Sequence, residues 1–203
     1  MKNEIVEHRR KFFSLYESIE VTDQRPKTLS LDEGLEHAIN MIIAQTNAGG
    51  KLIFIGNGGS AAIASHMAID FWKNIGVKAV TFNEAAALTC LSNDIGYKHV
   101  FEKSVNMFAE EKDILVAISS SGKSENILRG VDAAREKGVR VITLSGFGEE
   151  NPLRQKGEIN FYVPESHYGY VEVLHHCLCH AMVDIVLDNK VKLNEGVETS
   201  ERI

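Results

Sequence analysis

The sequence predicts a doubly wound α/β fold in which a five-stranded parallel sheet is flanked by helices. Its strand candidates are apolar throughout, as at 114–118, and such strands are buried on both faces of a parallel sheet. Helical patterns alternate with these strands, which is the order of a doubly wound sandwich. Ligands bind such sheets at the carboxyl ends of the strands. We therefore expect the site in the loops at 56–60, 83–94, 119–124 and 145–150.

Two helices are predicted before the first strand of this alternation. Apolar residues recur at helical spacing over 3–20, and the polar stretch 22–30, with Pro26, is predicted to be a connection. Ser30 followed by Glu33 has the spacing of a capping box and predicts a second helix over 31–48, which ends at two glycines. These helices suit an oligomer surface or a side layer.

From Lys51 onward, strands and helices alternate. Strands are predicted at 51–55, 77–82, 114–118, 139–144 and 159–163. Helices are predicted at 60–74, 85–91, 97–110, 124–137 and about 170–188. We expect a single domain over 1–189, with an N-terminal helical extension of about 1–48, followed by a polar tail at 190–203.

Composition excludes several classes of partner. The chain has 203 residues, of which 22 are basic and 28 acidic, giving a net charge of −6, so we expect no nucleic-acid partner. No apolar run approaches the roughly 20 residues that span a bilayer, and the N-terminus lacks a signal-peptide pattern, so we expect no membrane partner. Three cysteines without framework spacing indicate a reducing cytoplasm.

A glycine loop, Gly56-Asn57-Gly58-Gly59-Ser60-Ala61, joins the first strand of the alternation to its helix. Glycines let the backbone approach a ligand closely, and the N–H groups at a helix start favour an anion. The loop also fits the dinucleotide fingerprint G-x-G-x-x-A, with Glu84 at a plausible distance for a ribose hydroxyl. This loop alone leaves a dinucleotide-binding oxidoreductase and a sugar phosphate-binding protein open.

A serine loop, Ser119-Ser120-Ser121-Gly122-Lys123-Ser124, follows the strand at 114–118 and enters the next helix. Its hydroxyl and N–H groups can surround the three oxygens of a phosphate monoester. The loop ends like a P-loop, but the Walker pattern requires a glycine where Ala117 stands, which excludes an NTPase of that type. A simple capping turn is the alternative, and the position at a strand's carboxyl end favours a ligand loop.

These two loops, with Leu91-Ser92-Asn93-Asp94-Ile95-Gly96-Tyr97 between them and the stretch 133–144 after them, resemble the SIS (sugar isomerase) family. Over roughly 30–188 the chain resembles its phosphoheptose isomerases. The resemblance implies the SIS fold, a homotetramer with sites built from neighbouring subunits, and isomerisation of sedoheptulose 7-phosphate to D-glycero-D-manno-heptose 7-phosphate. It also implies which residues contact this phosphorylated sugar: Asn57, Gly58, Gly59, Ser60, Asn93, Asp94, Ser119, Ser120, Ser121 and Ser124.

Two predicted helices carry carboxylates and imidazoles on shared faces. His66 and Asp70 are four residues apart on the helix that begins near Ser60. On the last helix, one stripe carries Glu172, His176 and His180. This is a metal-site pattern that suits zinc. Two solvated polar faces are the alternative, but histidine is costly to bury in an otherwise apolar helix without a partner.

The resemblance implies that His66, Asp70, Glu172 and His180 bind zinc, with Asp70 (or Glu172) as the base and His180 as the acid. Two positions depart from the family pattern, which has Glu at the place of Asp70 and Gln at that of Glu172. His176 stands where an apolar residue is expected, and it could supply another ligand. We predict a phosphosugar isomerase that acts on sedoheptulose 7-phosphate or, as a divergent member, on a related phosphosugar. A non-catalytic phosphosugar-binding SIS regulator or adaptor is the alternative that the departures favour.

Overall fold

The structure, a computed structural model, describes the backbone of residues 1–25 and 27–200 and the side chains up to Asn189, apart from residue 26. Its helices are α1 (Lys2–Glu17), α2 (Leu31–Asn47), α3 (Gly59–Ile75), α4 (Ala85–Ile95), α5 (Val100–Phe108), α6 (Glu125–Glu136) and α7 (Tyr168–Ser200). A short 3₁₀ helix covers Tyr97–His99. Its strands are β1 (Glu20–Asp23), β2 (Thr28–Leu29), β3 (Leu52–Gly56), β4 (Ala79–Thr81), β5 (Ile114–Ser119), β6 (Arg140–Gly146) and β7 (Ile159–Val163).

The predicted α/β fold is confirmed, but the predicted number of strands is wrong. The sheet has seven strands in the order β2-β1-β7-β6-β5-β3-β4. The five strands from β7 to β4 are parallel, as predicted, whereas β1 runs antiparallel to both β7 and β2. Strands of four and two residues are too short to show a periodic pattern. Pairing with β7 gives β1 its extended conformation, so the segment 22–30 is more than a connection.

Alternation along the strands divides the core into two layers. In β3, Leu52 and Phe54 lie in the layer covered by α2, α3 and α7. Ile53 and Ile55 lie in the opposite layer, which is covered by α5 and α6. All five residues of β3 are buried, which explains why its sequence is continuously apolar.

The N-terminal helices are fixed by specific polar contacts. At the start of α2, the predicted capping box of Ser30 and Glu33 is confirmed. Lys11 of α1 forms an ion pair, 2.6 Å long, with Glu165. Glu165 lies in the loop between β7 and α7. The Lys11 hydrogen bond lowers the pKa of Glu165 to about 2, against the opposing effect of burial. The pair therefore holds α1 beside the carboxyl end of β7.

Helix α7 is longer than the 170–188 predicted from the sequence. Its backbone is helical to Ser200, within the predicted polar tail, while 201–203 lie outside the described residues. The segment Tyr168–Asn189 is long and apolar enough, by composition alone, to span a membrane. Val171, Leu174 and Leu178 lie in the core with the residues of α2 and α3. Packing inside the fold therefore accounts for much of this apolar character.

The chain order reverses direction at the pair β3 and β5. From β3 the chain passes through α3 to β4 on one side, and β5 lies on the other side. Gly56 at the end of β3 is in register with Ile118 near the end of β5. The loops that follow these two strands therefore diverge from adjacent points, which is where doubly wound sheets bind ligands.

Asp113 fastens the amino ends of β3 and β5 to each other. Its buried carboxylate accepts hydrogen bonds from the N–H groups of Lys51 and Glu110, at 2.9 and 2.8 Å, and pairs with Lys51 Nζ at 2.5 Å. We expect Asp113→Ala to lower the free energy of unfolding by about 2–4 kcal/mol, because buried donors lose their acceptor. Urea unfolding measures this. The exposed Glu136→Ala is the control, and equal stabilities of the two variants would contradict the assignment.

Candidate active site

The glycine loop brings the end of β3 against the start of α3. Gly58 has φ 54°, in the region that favours glycine. A Cβ on Gly56 would lie 2.5 Å from the carbonyl oxygen of Ser60, so a side chain there would force the two backbones apart. Ser60 itself is buried. The first turn of α3, whose N–H groups favour anions, is thereby placed at the carboxyl edge of the sheet.

The serine loop turns sharply between β5 and α6. Gly122 has φ 61°, and its N–H donates to the carbonyl oxygen and Oγ of Ser119 at 3.1 and 3.2 Å. Ser124 is the residue that precedes α6. The Oγ of Ser120 is buried and has no hydrogen-bond partner among the described residues. Since buried hydroxyls are normally paired, this oxygen is available to a ligand.

Asn151 holds the serine loop from behind, and the sequence analysis missed it. Its Nδ2 donates to the carbonyl oxygens of Ser120 and Gly146 at 3.0 and 2.8 Å, and its Oδ1 accepts from the N–H of Leu153 at 2.9 Å. The side chain is buried. Asn151 lies one residue beyond the loop predicted at 145–150, and an asparagine beside a proline also suits an ordinary turn. Its sequence position alone gave no signal of this role.

A pair of asparagines joins the two ligand loops. Asn57 in the glycine loop and Asn126 at the start of α6 exchange two hydrogen bonds, each 2.9 Å long. The hydroxyl of Tyr97 donates to Asn57 Oδ1 at 2.7 Å. Asn57 was predicted, whereas Asn126 and Tyr97 were not. Asn126 is the second residue after the serine loop in sequence, which was the one available signal.

Asn93 and Asp94 lie on the exposed part of α4 and not in a loop. Asn93 Nδ2 donates to Asp94 Oδ1 at 2.9 Å. Cys90 Sγ donates to Asp94 Oδ2 at 3.5 Å, and this contact raises the pKa of Cys90. Among the residues that the structure describes, no hydrogen bond joins Asn93 or Asp94 to either ligand loop. Their predicted role as sugar contacts stays a prediction.

Glu84, the residue on which the dinucleotide alternative depended, caps α4. Its Oε2 accepts a hydrogen bond from the N–H of Ala87 at 2.9 Å. Hydrogen bonds from backbone N–H groups at the start of α4, that of Ala87 above all, lower the pKa of Glu84. Capping a helix therefore explains this carboxylate without a ribose.

Three imidazoles meet where α3 packs against α7. Nitrogen atoms of His66, His176 and His180 all lie within 4.8 Å of one another. Asp70 Oδ2 lies 3.2 Å from His66 Nε2 and 3.9 Å from His180 Nδ1. Side chains from two helices that are distant in the chain thus form one cluster, as the shared faces predicted.

The cluster fits a metal ion. Ligand atoms of one tetrahedral zinc lie roughly 3.3 Å apart, given bond lengths of about 2.0–2.2 Å, so small side-chain rotations would bring the imidazoles to one ion. His176 Nε2 is buried without a hydrogen-bond partner among the described residues. Burial, reinforced by the neighbouring His180 and His66, lowers the pKa of His176. This favours the neutral imidazole, the form that binds metals.

Glu172 lies apart from this cluster. Its carboxylate is against Gly59, where an added Cβ would overlap it, at the first turn of α3. Eight residues of α7 separate it from His180, a rise of about 12 Å. The structure therefore brings together His66, Asp70 and His180 of the predicted metal set, adds His176, and leaves Glu172 near the glycine loop.

His175, the neighbour of His176, has a structural position. Its ring is fully buried, and Nε2–H donates to the carbonyl oxygen of Ser145 at 3.0 Å. Burial lowers the pKa of His175 to about 4, so it is neutral at ordinary pH. Adjacent histidines on α7 thus point to different surroundings, one into the core and one toward α3.

Gly122→Ala should weaken binding of inorganic phosphate by roughly tenfold or more, because the displaced loop would lose hydrogen bonds to the anion worth about 1.5–3 kcal/mol each. A Cβ on Gly122 would collide with the side chain of Asn151, and φ 61° is unfavourable for alanine. Isothermal titration with phosphate measures the effect. Gly148→Ala is the matched control because a Cβ there meets open space. Equal phosphate affinities in the two variants would show that the loop does not bind phosphate.

The sequence of this chain is similar to those of known proteins. The family model described as SIS domain matches residues 20–146. A phosphoheptose isomerase of Enterobacter sp. (strain 638) is 35% identical over 173 residues, which cover 79% of this chain and 88% of that protein. One from Sodalis glossinidius is 38% identical over 145 residues, covering 69% of this chain and 73% of that protein.

Solved structures agree with this match. The phosphoheptose isomerase GmhA from Neisseria gonorrhoeae has a TM-score of 0.77 and 29% identity, covering 91% of this chain and 98% of its own. A phosphoheptose isomerase from Francisella tularensis has a TM-score of 0.78 over 93% of this chain and 98% of its own; at 24% identity it supports the fold alone. The chain therefore belongs to the SIS domain family and, within it, to the phosphoheptose isomerases.

Proposed function

We propose that this protein is an aldose–ketose isomerase that converts sedoheptulose 7-phosphate to D-glycero-D-manno-heptose 7-phosphate. One observation carries the proposal: α3 begins at the glycine loop and carries His66 and Asp70 into the imidazole cluster. A single rigid helix thus connects an anion site to groups that can move protons. The names of the relatives support the same substrate.

The spacing along α3 suits an open-chain sugar phosphate. Six residues separate Ser60 from His66, a rise of about 9 Å. A seven-carbon sugar has its phosphate at one end and its carbonyl at the other, so an extended chain spans a comparable length. The hydroxyls and N–H groups of Ser60, the serine loop and Gly58–Gly59 would hold the phosphate. Asn57, Asn93 and Asp94 would contact the sugar.

Asp70 is the carboxylate best placed to act as the base. Isomerisation moves a proton between C1 and C2 through an enediol, so base and acid must reach neighbouring atoms of one substrate. Asp70 Oδ2 is 3.9 Å from His180 Nδ1. Glu172, in contrast, lies about 12 Å from His180 along the axis of α7. Asp70 would take the carbon-bound proton, and His180 would donate a proton to the sugar oxygen.

Zinc is the proposed cofactor, held by the imidazole cluster beside Asp70. A bound zinc ion would polarise the substrate carbonyl. One ring nitrogen of His180 can bind a metal while the other carries a proton. Glu172, the fourth ligand implied by resemblance, has its carboxylate against Gly59 instead. The proposed assembly is a homotetramer. We place the protein in the cytoplasm.

Replacing the base or the acid should stop turnover without abolishing phosphate binding. Asp70→Asn and His180→Asn are each expected to lower kcat by about 10²–10⁴-fold. Aldose formation from sedoheptulose 7-phosphate by zinc-loaded protein gives the rate. Titration with inorganic phosphate checks that each variant still binds phosphate. His37→Asn, on the exposed face of α2, is the control. A zinc-loaded wild-type protein that forms no aldose would contradict the proposal.

A non-catalytic phosphosugar-binding regulator or adaptor is the second candidate. The position of Glu172, away from the imidazole cluster, favours it, because one of the family's functional positions then lies outside the reaction centre. Such a protein would gain thermal stability with sedoheptulose 7-phosphate but would not convert it. Asp70→Asn would leave that stabilisation intact.

A further inference from the structure

We infer that His176 is a metal ligand in this chain and completes a three-imidazole site with His66 and His180, from which Glu172 is excluded. The inference deepens the proposed function and rests on its metal. It changes the ligand set that family resemblance implies. That set includes Glu172 as a zinc ligand, whereas His176 is only an additional candidate.

The three rings form a compact triangle between two helices. Ring centroids are 4.7 Å apart for His176 and His180, 5.0 Å for His66 and His176, and 5.4 Å for His66 and His180. His176 and His180 are one turn apart on α7, and His66 faces them from α3. Each ring thus lies beside both of the others, and small side-chain rotations would bring a nitrogen of each to one ion.

His176 has a nitrogen that lacks any other partner. Its Nε2 is buried, and no described residue forms a hydrogen bond with it. A buried polar atom without a partner costs about 1–3 kcal/mol, and such atoms are rare in native proteins. A metal ion in the triangle would give this nitrogen its partner. His175 also has a buried nitrogen without a partner among the described residues, Nδ1, but its Nε2 donates to the carbonyl oxygen of Ser145. His176 differs because its ring lies beside two other imidazoles.

Asp70 would orient the imidazoles. Its Oδ2 is 3.2 Å from His66 Nε2, a hydrogen-bond distance, so His66 can use its other nitrogen for the metal. A carboxylate in this position fixes the ring and its tautomer. Three neutral ligands would leave a fourth position free, as catalytic zinc sites require, and Asp70 would stay available for proton transfer.

Glu172 is excluded by the place of its carboxylate, which lies against Gly59. It precedes His176 by four residues, about 6 Å, and His180 by eight, about 12 Å. Its carboxylate turns to Gly59 at the other end of the α3–α7 contact. Sharing a stripe of the helix therefore does not bring it to the same ion.

Zinc titration of the metal-free, full-length protein tests the inference. Wild type should bind one zinc per chain, measured by calorimetry and by metal analysis. His176→Ala should weaken zinc binding by about 100-fold or more, since even residues that only orient a ligand account for roughly 10–100-fold. Glu172→Ala and the control His37→Ala should bind like wild type. Zinc should raise the melting temperature of wild type and Glu172→Ala, and much less that of His176→Ala.

The outcomes separate this inference from the isomerase proposal. Wild-type zinc affinity in His176→Ala, or loss of zinc in Glu172→Ala, overturns the inference whatever the turnover. A wild type that binds no zinc also overturns it, and turnover in that sample would keep the isomerase. If zinc binds as expected but no aldose forms from sedoheptulose 7-phosphate, the ligand set is supported and the isomerase proposal is contradicted. Melting of metal-free His176→Ala shows that the variant is folded.

Discussion

The pairing of β3 with β5 is the constraint on which the site depends. These strands are neighbours in the sheet but not in the chain, with β4, three α-helices and the 3₁₀ helix between them. Asp113 ties their amino ends together, and the Asn57–Asn126 pair joins the loops at their carboxyl ends. Two anion-binding turns are thereby held side by side. Without this register, each loop would be a glycine- or serine-rich turn and no more.

The packing of α3 against α7 adds the second half of the site. Both helices lie in the same layer of the core, and Ile63, Met67, Leu174 and Leu178 are buried there. That apolar contact fixes which polar faces meet at its edge. Because α3 also carries the glycine loop, the imidazole cluster stands at a set distance from the phosphate end. The proposed phosphate site and the proposed proton-transfer groups are thus parts of one rigid arrangement.

Much of this architecture could be predicted from local pattern. Continuously apolar strands indicated a parallel sheet with helices on both faces, and the capping box at Ser30 marked the start of α2. Strands β1 and β2 could not be predicted, because their extended form comes from pairing with β7 and not from periodicity. Asn151 and Asn126 also gave little signal, since polar residues are common in loops and only their buried contacts distinguish them.

The sequence by itself determined the fold class, both ligand loops and the helix faces that carry His66, Asp70 and His180. Each of these follows from spacing along a single element, which local geometry fixes. Only the tertiary structure decided between Glu172 and His176. Both lie on one stripe of α7, but the height at which α3 meets that stripe places His176 in the cluster and Glu172 beside Gly59. Helical periodicity gives direction around the axis, whereas packing sets position along it.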